Sequence, residues 1–98
     1  MARVSVVALG TVRDGLGWDS SAREVEVAGN TVGDVLRALP IDEARTLYDF
    51  LVDGGTVRAE YMIRLNGGCV RRKAGLDTPV EDGDTLLAMD IVRFIAGG

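Results

Sequence analysis

The sequence predicts an α+β fold, a mixed sheet of four to five strands with a main helix and a second short helix. Three observations carry the prediction. Stretches near both ends of the chain alternate apolar and polar residues with the period of a strand. Two stretches between them repeat apolar residues at helical spacing, and turn-forming glycines separate the segments. The last apolar stretch runs through Phe94-Ile95-Ala96 into Gly97-Gly98, so residues about 94–98 read as a flexible tail on a single domain of residues 1–98.

Arg3 to Leu9 alternates, with Val4, Val6 and Ala8 on one face and Arg3, Ser5 and Val7 on the other, as in a strand with one face in the core. Gly10 to Ser21, rich in Gly, Asp and Ser, reads as a long turn. Within it Trp18 is expected to fold over the edge of the core, the alternative being a binding anchor. Arg23-Glu24-Val25-Glu26-Val27 alternates again and completes a hairpin. Thr31 and Asp34 then have the spacing of a helix start, and Val32, Val35, Leu36 and Leu39 form the apolar stripe of the main helix, which Pro40 stops. Ala44, Leu47, Tyr48 and Leu51 predict a second, shorter helix ending at Gly54-Gly55; its stripe is read as core, with a partner-binding face as the alternative.

Glu60 to Asn66 puts Tyr61, Ile63 and Leu65 on one face of a third strand, and Asn66-Gly67-Gly68 supplies its turn. Cys69 to Arg72 can return as a short strand, and Gly75 to Pro79 marks an irregular crossing before Asp82-Gly83-Asp84 and the last strand. A hairpin, a helix across it and later strands completing a mixed sheet form a β-grasp arrangement, with the last strand central and parallel to the first.

Composition narrows the chemistry. The chain has 98 residues, no histidine and one cysteine, so no zinc or haem constellation, internal disulfide or histidine acid–base catalysis is expected. Cys69 reads as a small buried or half-buried thiol rather than a nucleophile. Carboxylate pairs such as Asp42/Glu43 and Glu81/Asp82 read as turn and helix-start residues rather than acid–base catalysts. A net charge of −4 argues against nucleic acid, and the apolar runs are too short for a membrane span. The start of the chain has strand alternation rather than a signal-peptide pattern, so a cytoplasmic location is expected. Arg71, Arg72 and Lys73 read as a solvated hairpin edge, the alternative being a phosphate site.

Taken in order, Thr31 to Leu39, Leu65-Asn66-Gly67, Gly75 to Leu86 and Phe94-Ile95-Ala96-Gly97-Gly98 resemble the MoaD/ThiS group of ubiquitin-like sulfur carriers, in particular its MoaD-like branch. The resemblance implies that the Gly98 carboxylate is the adenylation, thiocarboxylate or conjugation site and that Gly97 gives the tail clearance. It implies a carrier rather than an enzyme, with no bound cofactor, ATP being used by a MoeB/ThiF-like activating enzyme. A MoaE-like large subunit would be the sulfur acceptor, most directly for molybdopterin in molybdenum or tungsten cofactor synthesis. Carriers for thiamin, cysteine or tRNA thiolation, a modifier conjugated through Gly98 to lysines, and a binding module with an idle tail are the alternatives. In this chain Asp90-Ile91-Val92-Arg93-Phe94 stands where the family commonly has a stiff Pro-Pro pair. Helices cover only one face of so small a sheet, so Val7, Leu87, Met89, Ile91 and Phe94 are expected to supply a partly exposed apolar docking patch.

Overall fold

The computed structural model describes residues 2–91, the side chain of Arg72 excepted. The elements run β1 (Ala2–Ala8), α1 (Thr11–Leu16), β2 (Ala22–Val27), α2 (Val32–Arg37), α3 (Leu47–Leu51), β3 (Val52–Asp53), β4 (Thr56–Val57), β5 (Tyr61–Leu65), β6 (Gly68–Cys69) and β7 (Thr85–Asp90), with two 3₁₀ turns at Val70–Arg72 and Gly75–Asp77. Five strands form the main sheet in the order β2-β1-β7-β5-β6. As the sequence predicts, β7 is central: it pairs parallel with β1 and antiparallel with β5. Phe94, Gly97 and Gly98 lie outside the described residues.

Alternation decides which side of the sheet is dry. Val4, Val6 and Ala8 of β1, Leu86 and Ala88 of β7, and Ile63 and Leu65 of β5 all point into one core, where Val32, Val35 and Leu36 from α2 and Leu39 just beyond its end meet them. Leu47 and Leu51 of α3 close the same core. Each Val or Leu so buried contributes about 1.5–3 kcal/mol relative to exposure, so helices this short are held by packing rather than by their own propensity. The start of α2 is capped as expected: the Asp34 N–H donates to Thr31 Oγ1 at 3.2 Å, and the Asp34 carboxylate accepts from the N–H groups of Asn30 and Thr31. Asn66 and Gly67 turn the β5–β6 hairpin with φ of 51° and 87°.

Four segments differ from expectation. The stretch from Gly10 to Ser21 contains α1, whose Val12 is fully buried. Its helical signal is masked because its first turn is bound by Asp90, from the far end of the sequence. The second helix begins at Leu47 rather than near Ala44, which is exposed. The Asp42 carboxylate accepts from the Ala44 and Arg45 N–H groups and holds that stretch as a turn, while Asp49 accepts from the Thr46 N–H and starts the helix. Gly54 and Gly55, expected to end a helix, turn the small β3–β4 hairpin. The return strand after Gly68 stops at Cys69, because Val70 dives into the core and Arg71 donates to the carbonyls of Val57, Arg58 and Tyr61.

Hydrogen bonds from Thr31 and Asn30 hold the Asp34 carboxyl below its usual range, and those from Ala44 and Arg45 do the same for Asp42. A depressed carboxyl stabilises the fold above its unfolded value, about 3.9, and that stability disappears as pH falls through the lower folded value. Acid titration followed by circular dichroism should therefore show an unfolding limb below about pH 4 that is shallower in Asp34→Asn. Thr31→Ala should cost about 1 kcal/mol at neutral pH in denaturant melts.

Candidate functional site

Among the described residues, none forms an element that covers the face of the sheet opposite the helices. Along β7 the side chains that point away from the core are Thr85, Leu87 and Met89, with Leu87 and Met89 half-buried. Register places Val7 of β1 beside Leu87 on one side and Arg64 of β5 on the other, and Met62 of β5 beside Met89. Val7 and Met62 are also half-buried. At the end of the strand Leu9 and Ile91 are the large apolar residues most open to solvent, 37% and 39% exposed. Backbone bonds fix both: the Leu9 N–H donates to the Ala88 carbonyl at 3.1 Å and the Ile91 N–H to the Glu60 carbonyl at 2.8 Å.

Of the expected patch, Val7, Leu87, Met89 and Ile91 are thus brought together and left accessible, whereas Phe94 falls beyond the described residues. Leu9 and Met62 also belong to the patch. The signal was present in the alternation, since Leu9 follows Val7 by two positions and Met62 lies between the inward Tyr61 and Ile63. Six apolar side chains on one uncovered face are more than the scattered single residues of an ordinary surface.

Charges rim the patch without entering it. Arg64 lies along its β5 side, its Nε 3.4 Å from Met62 Sδ and its Nη1 donating to the Gly67 carbonyl. On the β2 side the Arg3 guanidinium donates to the Glu26 carboxylate at 3.0 Å, and this hydrogen bond raises the Arg3 pKa above its usual value. Glu24 stands beside Ser5. A partner that is apolar at its centre and carries basic groups toward β2 would match this face.

The groups most often used for catalysis have structural partners instead. Asp82 accepts from the Arg3 N–H at 2.7 Å, while Asp84 accepts from the Glu81 N–H and from Asn66 Nδ2. Cys69 is half-buried at the edge of the sheet beside Arg64. Trp18 is buried, with the Arg23 guanidinium 5.0 Å from its ring centre, which fits a core-edge role. On the helix side, a cleft of about 400 Å³ is lined by Arg37, Tyr48 and Arg71. Both arginines there are engaged, Arg37 over the Tyr48 ring at 4.0 Å and Arg71 with its three carbonyls. Among the described residues no three His, Cys, Asp or Glu side chains converge as metal ligands, and no helix is long and apolar enough to cross a membrane.

The described structure therefore presents a half-exposed apolar face on β1, β5 and β7 that ends at Ile91, the last described residue. Comparison with known proteins finds relatives of the same fold. CysO of Mycobacterium tuberculosis is 26% identical and superposes with a TM-score of 0.74 over 91% of this chain and 99% of its own. A chain of the Amycolatopsis orientalis BexX/CysO complex is 27% identical, with a TM-score of 0.72 over 91% of this chain and 96% of that one. The Haloferax volcanii HVO 2177 protein is 29% identical, with a TM-score of 0.69 over 95% and 86%. No protein with a curated description matches the sequence. The model of the ThiS family matches residues 6–98, from the first strand through both terminal glycines. This chain belongs to the ThiS family, whose members are ubiquitin-like sulfur carriers.

Proposed function

We propose that the protein carries sulfur as a thiocarboxylate on Gly98. The observation that supports this most is the family match extending through Gly97 and Gly98, which follow in sequence a strand whose outward apolar face no described element covers. A carboxylate resists nucleophiles because of its charge and because oxide is a poor leaving group. In the proposed reaction the Gly98 carboxylate attacks the α-phosphorus of ATP and releases pyrophosphate, giving an acyl-adenylate. Sulfide then adds to the acyl carbon and expels AMP. An enzyme persulfide can serve instead, with a second thiol cleaving the resulting disulfide. The catalysis belongs to a MoeB/ThiF-like activating enzyme in the cytoplasm; this chain contributes the end group, the clearance at Gly97 and the docking face.

The acceptor we propose is a MoaE-like large subunit making molybdopterin. A second acceptor class is favoured by the two CysO structures, one of them from a complex with BexX. In that reading the thiocarboxylate is handed to an enzyme other than a molybdopterin synthase.

Intact-mass spectrometry of the untagged protein, incubated with ATP and an extract of its own host, tests the chemistry. Replacement of one oxygen by sulfur, lost in a chain deleted for Gly98, is the expected result. Gly98-dependent adducts on other proteins with no such mass change would instead identify a protein modifier. If neither product forms in an extract that thiocarboxylates a known carrier, the sulfur-carrier proposal is wrong.

The docking face makes a separate prediction. Leu87→Glu and Met89→Glu should leave stability within about 0.5 kcal/mol, because both side chains are already half in solvent. At limiting protein each should slow thiocarboxylate formation about tenfold, as expected for loss of a central apolar contact. Unchanged rates in both variants would remove this face from the interaction.

A further inference from the structure

Among the described residues the main sheet has two outer strands, and they differ in what they leave open. β6 is two residues long, after which Val70 turns into the core. β2, at the other end of the sheet, runs for six residues. Its backbone groups point alternately inward and outward. The Ala8 N–H donates to the Ser21 carbonyl, so by alternation Arg23, Val25 and Val27 turn their N–H and C=O groups toward β1. Glu24 and Glu26 lie opposite Ser5 and Arg3, whose own backbone groups bond to Asp84 and Gly83 on the far side of β1. The N–H and C=O groups of Glu24 and Glu26 therefore face outward, and no described residue bonds to them.

The two faces of this edge have different chemistry. Glu24 and Glu26 project on the side of the sheet away from the helices, as Ser5 and Arg3 do. Glu26 shares its carboxylate with Arg3, whereas Glu24 makes no ion pair among the described residues. On the helix side half-buried Val25 lies in a groove of about 480 Å³, lined also by Leu16, Trp18, Leu39 and Pro40. Arg23 lines the same groove, its guanidinium 5.0 Å from the Trp18 ring centre.

Charges on a sheet edge ordinarily discourage copies from pairing, and these do so. Antiparallel pairing of two β2 strands about a two-fold axis, centred on Glu24, Val25 or Glu26, sets two carboxylates opposite each other in every case. That excludes a second copy of this chain. It leaves unexplained an apolar groove along the same edge, which a strand of the opposite charge pattern would fill.

We propose that the β2 edge binds an extended segment of a partner protein in which an apolar residue stands between two basic ones. The segment exchanges backbone hydrogen bonds with Glu24 and Glu26, so the residues opposite them share their face and bring Lys or Arg to each carboxylate. The residue between falls opposite Val25 and enters the groove. In the antiparallel sense the next residue faces Arg23, where an acidic side chain completes the match. The segment then reads Lys-Val-Lys-Glu. This surface is separate from the apolar face on β7, and the proposal does not rest on the sulfur-carrier reading.

The test titrates a short capped peptide centred on Lys-Val-Lys-Glu into the full-length protein and follows amide chemical shifts. Saturable shifts and slowed amide exchange at Glu24 and Glu26 are expected. N-methylation of both lysines removes the donors that face β2 and should abolish binding; N-methylation of the valine, whose N–H points away, should not. Glu24→Lys, a change at an exposed side chain, should weaken binding about tenfold and transfer the preference to Lys-Val-Glu-Glu. Absence of saturable shifts at millimolar peptide, binding that survives methylation of both lysines, an unchanged preference in Glu24→Lys, or shifts centred on Leu87 and Met89 instead would each overturn the proposal. So would shifts at Glu24 that depend on the concentration of the protein alone, which would make the occupant a second copy.

Discussion

The rest of the structure depends on β7 lying between β1 and β5. Two backbone ladders of opposite sense converge on that strand, and its alternation separates two environments: Leu86 and Ala88 close the core, while Leu87 and Met89 face solvent. The helices follow from this. They must cover the dry side to bury Val32, Val35, Leu36 and Leu47, and among the described residues no further element covers the other side. An uncovered apolar face is thus a direct outcome of the architecture, and it lies on the strand that leads to the diglycine.

Most of this was legible because it is periodic. The strand faces of β1, β5 and β7, the stripe of α2 and its Thr31 cap are written in two- and 3.6-residue repeats, and those repeats survive folding unchanged. The parts that were not legible depend on partners distant in sequence. The first turn of α1 takes its acceptor from Asp90, and α1 is stable because Val12 enters a core built from the rest of the chain. Between Ile41 and Thr46 the side chain of Asp42 overrides a helical pattern, which is a local competition that spacing alone does not resolve. The docking face was readable for Val7, Leu87, Met89 and Ile91. Met62 became part of it only when register set it beside Met89.

The chemistry is divided as the side chains imply. The carboxylates resolved in contacts hold turns and helix starts, and Arg71 and Arg37 are held by carbonyls and by Tyr48. Nothing on the described surface gathers an acid, a base and a nucleophile in one place. Such a surface fits the proposed role, in which a larger enzyme recognises the domain and the chemistry takes place at Gly98.

The placement of the central strand also bears on how the protein is made. Its two neighbours come from residues 2–8 and 61–65, but the strand that joins them is contributed by residues 85–90. A growing chain on the ribosome would hold two unconnected halves of a sheet, each with an apolar face, until residues 85–90 had emerged. Folding then becomes a late, all-or-none event. A chain terminated before Thr85 would lack the strand that joins β1 to β5, and with it the closed core.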